Sequence, residues 1–349
     1  MSAKKIILSF VKTVLPLALG IYLFWFFFAN MSREEKSIFY QALQEANYFW
    51  IGLTLFISII AYSSRAIRWN YVLEPLGYKT TFWNRYHAIM IGYLMNLTIP
   101  RAGEPTRSAM LFQSEGVPFS KSFGTIIAER AIDFVMLCTI GLITVWIGYD
   151  DFFKIKEIMQ NRFGSPSDAS ATGFQWKYVI YGALLLGGLI FTFLLITKLS
   201  LRNKFIQFFK DVMNGVFAIF KSKQPFSYLF HTFVIWIVYL LMFALAFKSL
   251  PATANISYEA ILMGFIAGSL GIIFTNGGIG SYPLLVGIVV AYYLGTDEPN
   301  GLAIGNALGM IIWTSQTILM IVLGLISLAL LPRKFDKNSD HASYESAKN

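Results

Sequence analysis

Stretches of about 20 apolar residues recur along this chain and constrain its fold more than any other feature. One α-helix of that length spans the hydrocarbon core of a bilayer. Of the 349 residues, 56% are apolar and 13% are charged, and the charged share is about half that of soluble domains. The sequence therefore excludes an ordinary soluble globule and predicts an all-α polytopic membrane protein.

Six of these runs have spanning length. The first follows two lysines but is too long for the apolar region of a signal peptide, so we interpret it as a retained helix. The six predicted spans are Ile6–Phe28, Tyr48–Ala66, Phe123–Gly148, Tyr178–Thr197, Phe226–Phe247 and Leu302–Leu331.

Two further apolar segments are interrupted by loops rich in glycine and proline. They are Phe82–Pro100, followed by RAGEPTR, and Tyr258–Thr275, followed by NGGIGSYP. At each break, one arm is too short to cross about 30 Å of hydrocarbon as a straight helix. We interpret both segments as re-entrant, broken helix pairs.

The two halves of the chain, about 1–150 and 175–332, share one order: span, amphipathic linker helix, span, broken pair, span. The linker helices are predicted at Arg33–Asn47 and Leu201–Lys223. Because each half has an odd number of crossings, we expect an inverted repeat, as in many transporters. Residues 1–332 are thus predicted to form one membrane domain, and 333–349 a disordered cytoplasmic tail.

The distribution of positive charge predicts the orientation of these spans. Of the 28 lysines and arginines, 21 fall in segments that face the cytoplasm if the N-terminus lies inside. This split follows the positive-inside rule, so both termini are predicted to be cytoplasmic. We therefore interpret the net charge of +9 as topology in a bacterial-type plasma (inner) membrane, and not as a nucleic-acid surface.

Arginines at membrane depth are costly and require a reason. Arg65 and Arg68 share a helix face, where they either grip one phosphate or extend to the cytoplasmic interface. In NLTIPRAGEPTR, a helix beginning near Glu104 would offer free N–H groups to an anion. The alternative for this motif is an ordinary loop. Glu104 is expected to hold Arg101 or Arg107 in place, or to recognise an amine.

A third group, Glu129, Arg130 and Asp133, lies in the first turns of an apolar helix. Glu129 and Asp133 share one face and would repel unless a proton, a cation or an arginine intervened. We expect Arg130 to pair with Asp133. Whether the group is a structural ion pair, part of a binding site or a proton relay stays open.

The second break supplies the last candidate residues. Its glycines permit close approach of a ligand or of another helix, and a helix starting near Ser281 would again direct its positive end inward. The candidate residues of this loop are Asn276, Gly277, Gly278, Gly280, Ser281 and Tyr282.

Catalytic and metal-binding patterns do not emerge from the sequence. It has one cysteine, Cys138, three scattered histidines and no nucleotide-binding loop. We therefore expect a protein that is not an enzyme and that has no cofactor and no metal site.

Together these motifs resemble a known family. Over about residues 5–332 the chain resembles the lysylphosphatidylglycerol synthase transmembrane region, also called the flippase-like domain. The motifs that carry the resemblance are Arg65-Ala-Ile-Arg68-Trp69, the stretch from Asn96 to Arg107, the Glu129-Arg130 pair with Asp133, and Gly277-Gly278-Ile-Gly280. The resemblance implies lipid translocation. In multi-domain members a separate domain aminoacylates the lipid. This chain ends at Asn349, so we expect a stand-alone membrane part without that aminoacyltransferase domain.

One departure bears on the substrate. The second break of the family usually contains prolines and, shortly after, a glutamate, whereas this chain has Phe274-Thr275-Asn276 and then Pro283. If that glutamate binds a cationic headgroup in relatives, its absence here favours a substrate lipid that bears a phosphate and no lysine.

The sequence thus predicts a lipid flippase that moves an anionic headgroup, from a membrane phospholipid or another lipid-linked anion. The alternatives are a proton-coupled transporter of a soluble anion and a non-catalytic lipid-binding scaffold for a separate lipid-modifying enzyme. The oligomeric state stays open. The residues expected to bind the headgroup are Arg65, Arg68, Asn96, Arg101, Gly103, Glu104 and Arg107.

Overall fold

A computed structural model describes residues 32–151, 154–155, 224–295 and 298–332, together with residues 22, 25 and 29. Its regular structure is helical throughout these ranges. Three short 3-10 turns accompany nine α-helices: α1 (Arg33–Glu45), α2 (Tyr48–Leu73), α3 (Phe82–Thr98), α4 (Gly103–Glu115), α5 (Phe119–Ile147), α6 (Pro225–Phe247), α7 (Tyr258–Phe274), α8 (Ser281–Leu294) and α9 (Glu298–Leu330).

Within the described ranges, three helical segments have both the length and the apolar composition to cross a membrane. They are Tyr48–Leu76, Pro225–Phe247 and Asn300–Leu330, and each overlaps one of the predicted spans. Helix α5, with 29 residues, occupies a fourth. The predicted span Tyr178–Thr197 lies outside the described residues, as does most of Ile6–Phe28, so the count of six stays a prediction.

The first predicted break separates α3 from α4. The break is tight because Asn96 Oδ1 accepts a hydrogen bond of 2.7 Å from the backbone N–H of Gly103. A Cβ at position 103 would lie 2.5 Å from the carbonyl oxygen of Gly92, so only glycine allows the two arms to approach this closely. Arg101 completes the turn with a φ of 61°, a left-handed conformation that non-glycine residues seldom adopt.

The second predicted break separates α7 from α8, which begins at Ser281 as expected. The hydroxyl groups of Thr275 and Ser281 form a hydrogen bond of 2.6 Å. The indole N–H of Trp313 in α9 donates a hydrogen bond of 2.6 Å to the Gly277 carbonyl. A Cβ on Gly277 would lie 3.6 Å from Leu97 of α3, so the two breaks are neighbours. Both segments are thus interrupted where the sequence predicts, and their re-entrant arrangement stays a prediction.

The two halves have the same order of long helix, helical hairpin and long helix: α2, α3–α4, α5 and then α6, α7–α8, α9. Their contacts are reciprocal. Helix α2 packs against α6, α5 packs against α7 of the other half, and α9 packs against α3.

One linker helix is described, and one is not. Helix α1 occupies the predicted linker Arg33–Asn47 and packs Phe39, which is buried, against Ala303 and Ala307 of α9. The linker Leu201–Lys223 and the predicted tail 333–349 lie outside the described residues.

Candidate functional site: a buried arginine-carboxylate cluster

Five ionisable side chains from three helices meet inside the helical bundle. Arg65 and Arg68 come from α2, Arg107 from α4, and Glu129 and Asp133 from α5. Each residue is at most 8% exposed. Burial of a charge is costly unless it is paired, and each of the three arginines contacts one of the two carboxylates. We call these five residues the buried cluster.

Asp133 binds both arginines of α2. Arg68 donates a hydrogen bond of 2.8 Å to its Oδ1, and Nη1 of Arg65 lies 3.4 Å from its Oδ2. The two guanidiniums thus lie on one face of α2 and are buried among the packed helices. Helix α2 continues to Leu73, and the side chains of Arg65 and Arg68 point into the bundle.

Arg107 is oriented from two sides. Its Nη1 and Nη2 donate hydrogen bonds of 2.8 Å and 3.3 Å to the two carboxylate oxygens of Glu129. Its guanidinium carbon also lies 3.6 Å from the centre of the Trp69 ring, a cation–π contact. The Trp69 indole is itself fixed by a bond of 2.9 Å to Thr125. These contacts tie α4 to both long helices.

The rim of the cluster differs from the sequence prediction. Glu104 lies against Arg130, with Nε to Oε1 at 3.6 Å, and not against Arg101 or Arg107, so that expectation was wrong. The reason is that Arg107 lies one turn deeper and takes Glu129. Arg130 also pairs with Asp133 at 3.7 Å, as expected. Arg101 is exposed and makes no ion pair within the described part of the chain.

Helix α6 contributes three polar side chains that sequence reasoning missed. Arg68 donates a hydrogen bond of 3.2 Å to Thr232, Arg65 donates one of 3.3 Å to Tyr239, and the Tyr228 ring lies 5.3 Å from the Arg68 guanidinium. The three residues lie in a mainly apolar helix at spacings of four and seven. That spacing places them on one face of the helix and was the signal that could have identified them.

The remaining candidates have structural contacts outside the cluster. The side-chain oxygen of Asn96 binds Gly103, and Ser281 donates a bond of 2.6 Å to the Gly271 carbonyl. Tyr282 is buried against α7. Among described residues, the second break thus contributes no hydrogen bond to the cluster arginines, and no group of three His, Cys, Asp or Glu side chains could hold a metal ion.

Comparison with known proteins identifies the family. A sequence model described as the lysylphosphatidylglycerol synthase TM region matches residues 13–324. The chain belongs to this family. The buried cluster and both helix breaks lie within the matched region.

Two curated relatives have significant similarity. A UPF0104 membrane protein of Methanocaldococcus jannaschii is 23% identical over 330 residues, which cover 90% of this chain and 94% of that protein. Glycosyltransferase AglD of Haloferax volcanii is 26% identical over 121 residues, 33% of this chain and 19% of that protein. No solved structure has significant similarity to the chain. The family and the apolar helices establish a membrane protein of a lipid-related family.

Proposed function

We propose that this protein is a flippase-like transporter of the plasma membrane that moves an anionic phospholipid headgroup between leaflets. The observation that supports this most directly is the buried cluster. It places three arginines at the centre of an apolar bundle, beside a helix break, with two carboxylates to balance them. Buried guanidiniums that are not fully neutralised favour the binding of an anion.

The helical hairpins support a re-entrant arrangement. Helices α3 and α7 have 17 residues each, and α4 and α8 have 13 and 14. At about 1.5 Å per residue, each arm is shorter than the hydrocarbon core of about 30 Å. In the proposed arrangement, each hairpin enters and leaves on the same side of the membrane.

The reciprocal packing of the halves supports an inverted repeat. A two-fold axis in the membrane plane would exchange α5 and α7 with α9 and α3, which are the contacts observed. In that arrangement both arms of the first hairpin end at the cytoplasmic side and both arms of the second end at the outer side. Both termini are then cytoplasmic. The adjacent breaks at Leu97 and Gly277 lie near the midplane in this arrangement.

Rocking of the halves would carry the headgroup across. Because the cluster residues are at most 8% exposed, a headgroup reaches them only when packed helices separate. The acyl chains would stay in lipid, next to apolar side chains such as Leu142 and Trp146, which are 73% and 82% exposed on α5. Each half would alternate between two packings around a fixed site.

Glu129 and Asp133 act as counter-ions in this mechanism. Both are already engaged by arginines, at 2.8 Å in each case, which supports an ion-pair role more than a proton relay. A soluble-anion transporter coupled through these carboxylates would need them to release their arginines and bind protons. Such a transporter would require a pH gradient, whereas the proposed flippase would not.

The test is translocation of a fluorescent phosphatidylglycerol in reconstituted vesicles, followed by dithionite reduction of the label in the outer leaflet. We expect Arg107→Ala to lower the protein-dependent rate at least about tenfold, since it removes a fully buried cationic donor. Lys79→Ala, which removes an exposed cation outside the cluster, should retain the rate. Equal rates for wild type and Arg107→Ala would reject the proposed site.

The similarity to a part of a glycosyltransferase favours one further candidate function, a membrane scaffold for a lipid-modifying enzyme. Such a scaffold would co-purify with its enzyme in mild detergent, and the complex would be indifferent to Arg107→Ala. If Arg107→Ala abolishes translocation and no enzyme co-purifies with the wild-type protein, this candidate is rejected.

A further inference from the structure

The charge balance of the buried cluster is uneven. Three guanidiniums, those of Arg65, Arg68 and Arg107, face two carboxylates, those of Glu129 and Asp133. The adjacent pair of Arg130 and Glu104 is half-exposed and neutral in sum. The described part of the cluster therefore retains one positive charge without a counter-ion.

The hydrogen bonding of the cluster is also incomplete. Several buried nitrogen atoms of its three arginines donate no hydrogen bond to any described residue: Nε and Nη1 of Arg65, Nε and Nη2 of Arg68, and Nε of Arg107. One buried acceptor, Oδ2 of Asp133, also lacks a hydrogen bond, although it lies 3.4 Å from Nη1 of Arg65. The Tyr228 hydroxyl, above Arg68, is likewise unpartnered. A buried polar group without a partner costs about 1–3 kcal/mol, so a ligand that satisfies several of them would bind with a large advantage.

A phosphodiester fits both deficits. It carries one negative charge and two terminal oxygens, each able to accept hydrogen bonds from guanidinium groups. It would neutralise the single excess charge and satisfy donors on neighbouring arginines. A phosphomonoester carries nearly two negative charges at neutral pH and would leave the buried site with a net negative charge.

A headgroup with an ammonium group fits the cluster poorly. The three carboxylates at the cluster and its rim, Glu104, Glu129 and Asp133, are each in contact with at least one arginine. Among described residues, no free acid is left there for a second, cationic part of a ligand.

We propose that the buried cluster selects lipids whose headgroup is a monoanionic phosphodiester with no further charge, over phosphomonoester lipids and over lipids with an ammonium group. This selectivity rests on the proposed lipid translocation for its role, but it is a property of binding that can be measured separately.

The binding test uses short-chain lipids and thermal unfolding of the purified protein. Phosphatidylmethanol and phosphatidate differ by one methyl group but carry one and nearly two negative charges at about pH 8. We expect phosphatidylmethanol to stabilise the protein at concentrations at least about tenfold lower than phosphatidate, and than aminoacylated phosphatidylglycerol. Equal potency of the three lipids would overturn the proposal.

A charge variant sharpens the test. Glu129→Gln keeps the shape of the side chain and raises the excess charge from one to two. It should shift the preference toward phosphatidate at least about tenfold. Glu74→Gln, a neutralisation of an exposed acid beyond the end of α2, should leave the preference unchanged. If Glu129→Gln does not fold, the wild-type ratio of the two lipids decides alone.

Translocation of the same lipids in vesicles separates the two proposals. Selective binding with no translocation of any lipid would reject the proposed function and keep the selectivity. Translocation of all lipids at equal rates would keep the proposed function and reject the selectivity. Glycerophosphoglycerol, the water-soluble diester, serves as a competitor: if it binds as well as phosphatidylmethanol, the site reads a soluble phosphodiester, which contradicts a lipid substrate.

Discussion

Arg107 and Glu129 join the short helix α4 to the long helix α5 through two hydrogen bonds, of 2.8 Å and 3.3 Å, between buried side chains. The pair links the first hairpin to the bundle. A headgroup that takes hydrogen bonds from Arg107 would compete with Glu129 and loosen this link. In the proposed function, ligand binding and helix movement would thereby be coupled at Arg107.

Removing one member of this pair should be worse for stability than removing both. Glu129→Ala leaves the Arg107 charge buried, and we expect a loss of about 3–5 kcal/mol in unfolding free energy. The double variant Arg107→Met/Glu129→Leu should recover most of that loss and yet translocate no lipid. Unfolding of the detergent-purified variants measures the stability, and the vesicle assay measures the translocation. A double variant as unstable as Glu129→Ala would show that the charges themselves hold the fold.

Trp69 should position Arg107 through its aromatic face. Trp69→Phe keeps a ring under the guanidinium, whereas Trp69→Leu removes it, at a cost of about 1 kcal/mol or a factor of about five in headgroup affinity. Thr125→Val, which removes only the partner of the indole N–H, should behave like Trp69→Phe. The measurement is the lipid concentration at half-maximal translocation. Identical values for the Phe and Leu variants would exclude an aromatic contribution.

The helix breaks were predictable because their signals are local. Pro100 removes a backbone donor, and Gly103 allows the two arms to approach closely, so a few adjacent residues determine where α3 ends and α4 begins. The same reasoning placed the start of α8 near Ser281. Apolar length likewise identified the long helices, since one element by itself must match the bilayer.

The ion pairs were less predictable because they join distant parts of the chain. Arg68 and Asp133 are 65 positions apart, and Thr232 lies 164 positions beyond Arg68. Periodicity shows which face of a helix is polar, but it does not show which other helix that face meets. The assignment of Glu104 to Arg101 or Arg107 failed for this reason: α5 brings Arg130 to the rim and Glu129 to Arg107.

Gly103→Ala should destabilise the first hairpin. The added Cβ would lie 2.5 Å from the Gly92 carbonyl oxygen, and backbone atoms cannot move aside without separating α3 from α4. We expect a loss of about 1–3 kcal/mol. Gly124→Ala in α5 is the matched control, because nothing lies within 4 Å of a Cβ there. It should be neutral or slightly stabilising. Equal unfolding temperatures for the two variants would contradict the close approach of the hairpin arms.

Arg101 should speed transport through its exposed charge, and its backbone conformation should lower the stability of the fold. Its left-handed backbone conformation costs about 1 kcal/mol, so Arg101→Gly and Arg101→Asn should unfold at equal or higher temperature than wild type. Both should translocate lipid more slowly at low salt, because an exposed cation attracts the headgroup over a distance that salt screens. The defect should shrink at high salt, in contrast to that of Arg107→Ala. A salt-independent defect would place Arg101 inside the binding site.

Cysteine labelling should test the inverted repeat. Cys138 is the only cysteine, so Cys138→Ser provides a background free of thiols. Single cysteines at Lys79 and Asn255, which are exposed and precede the first and second hairpins, are expected on opposite sides of the membrane. An impermeant maleimide added to intact cells should label Asn255→Cys alone, and permeabilisation should add Lys79→Cys. Labelling of both positions in intact cells would rule out the inversion, because two hairpins that open to the same side cannot be related by an axis in the membrane plane.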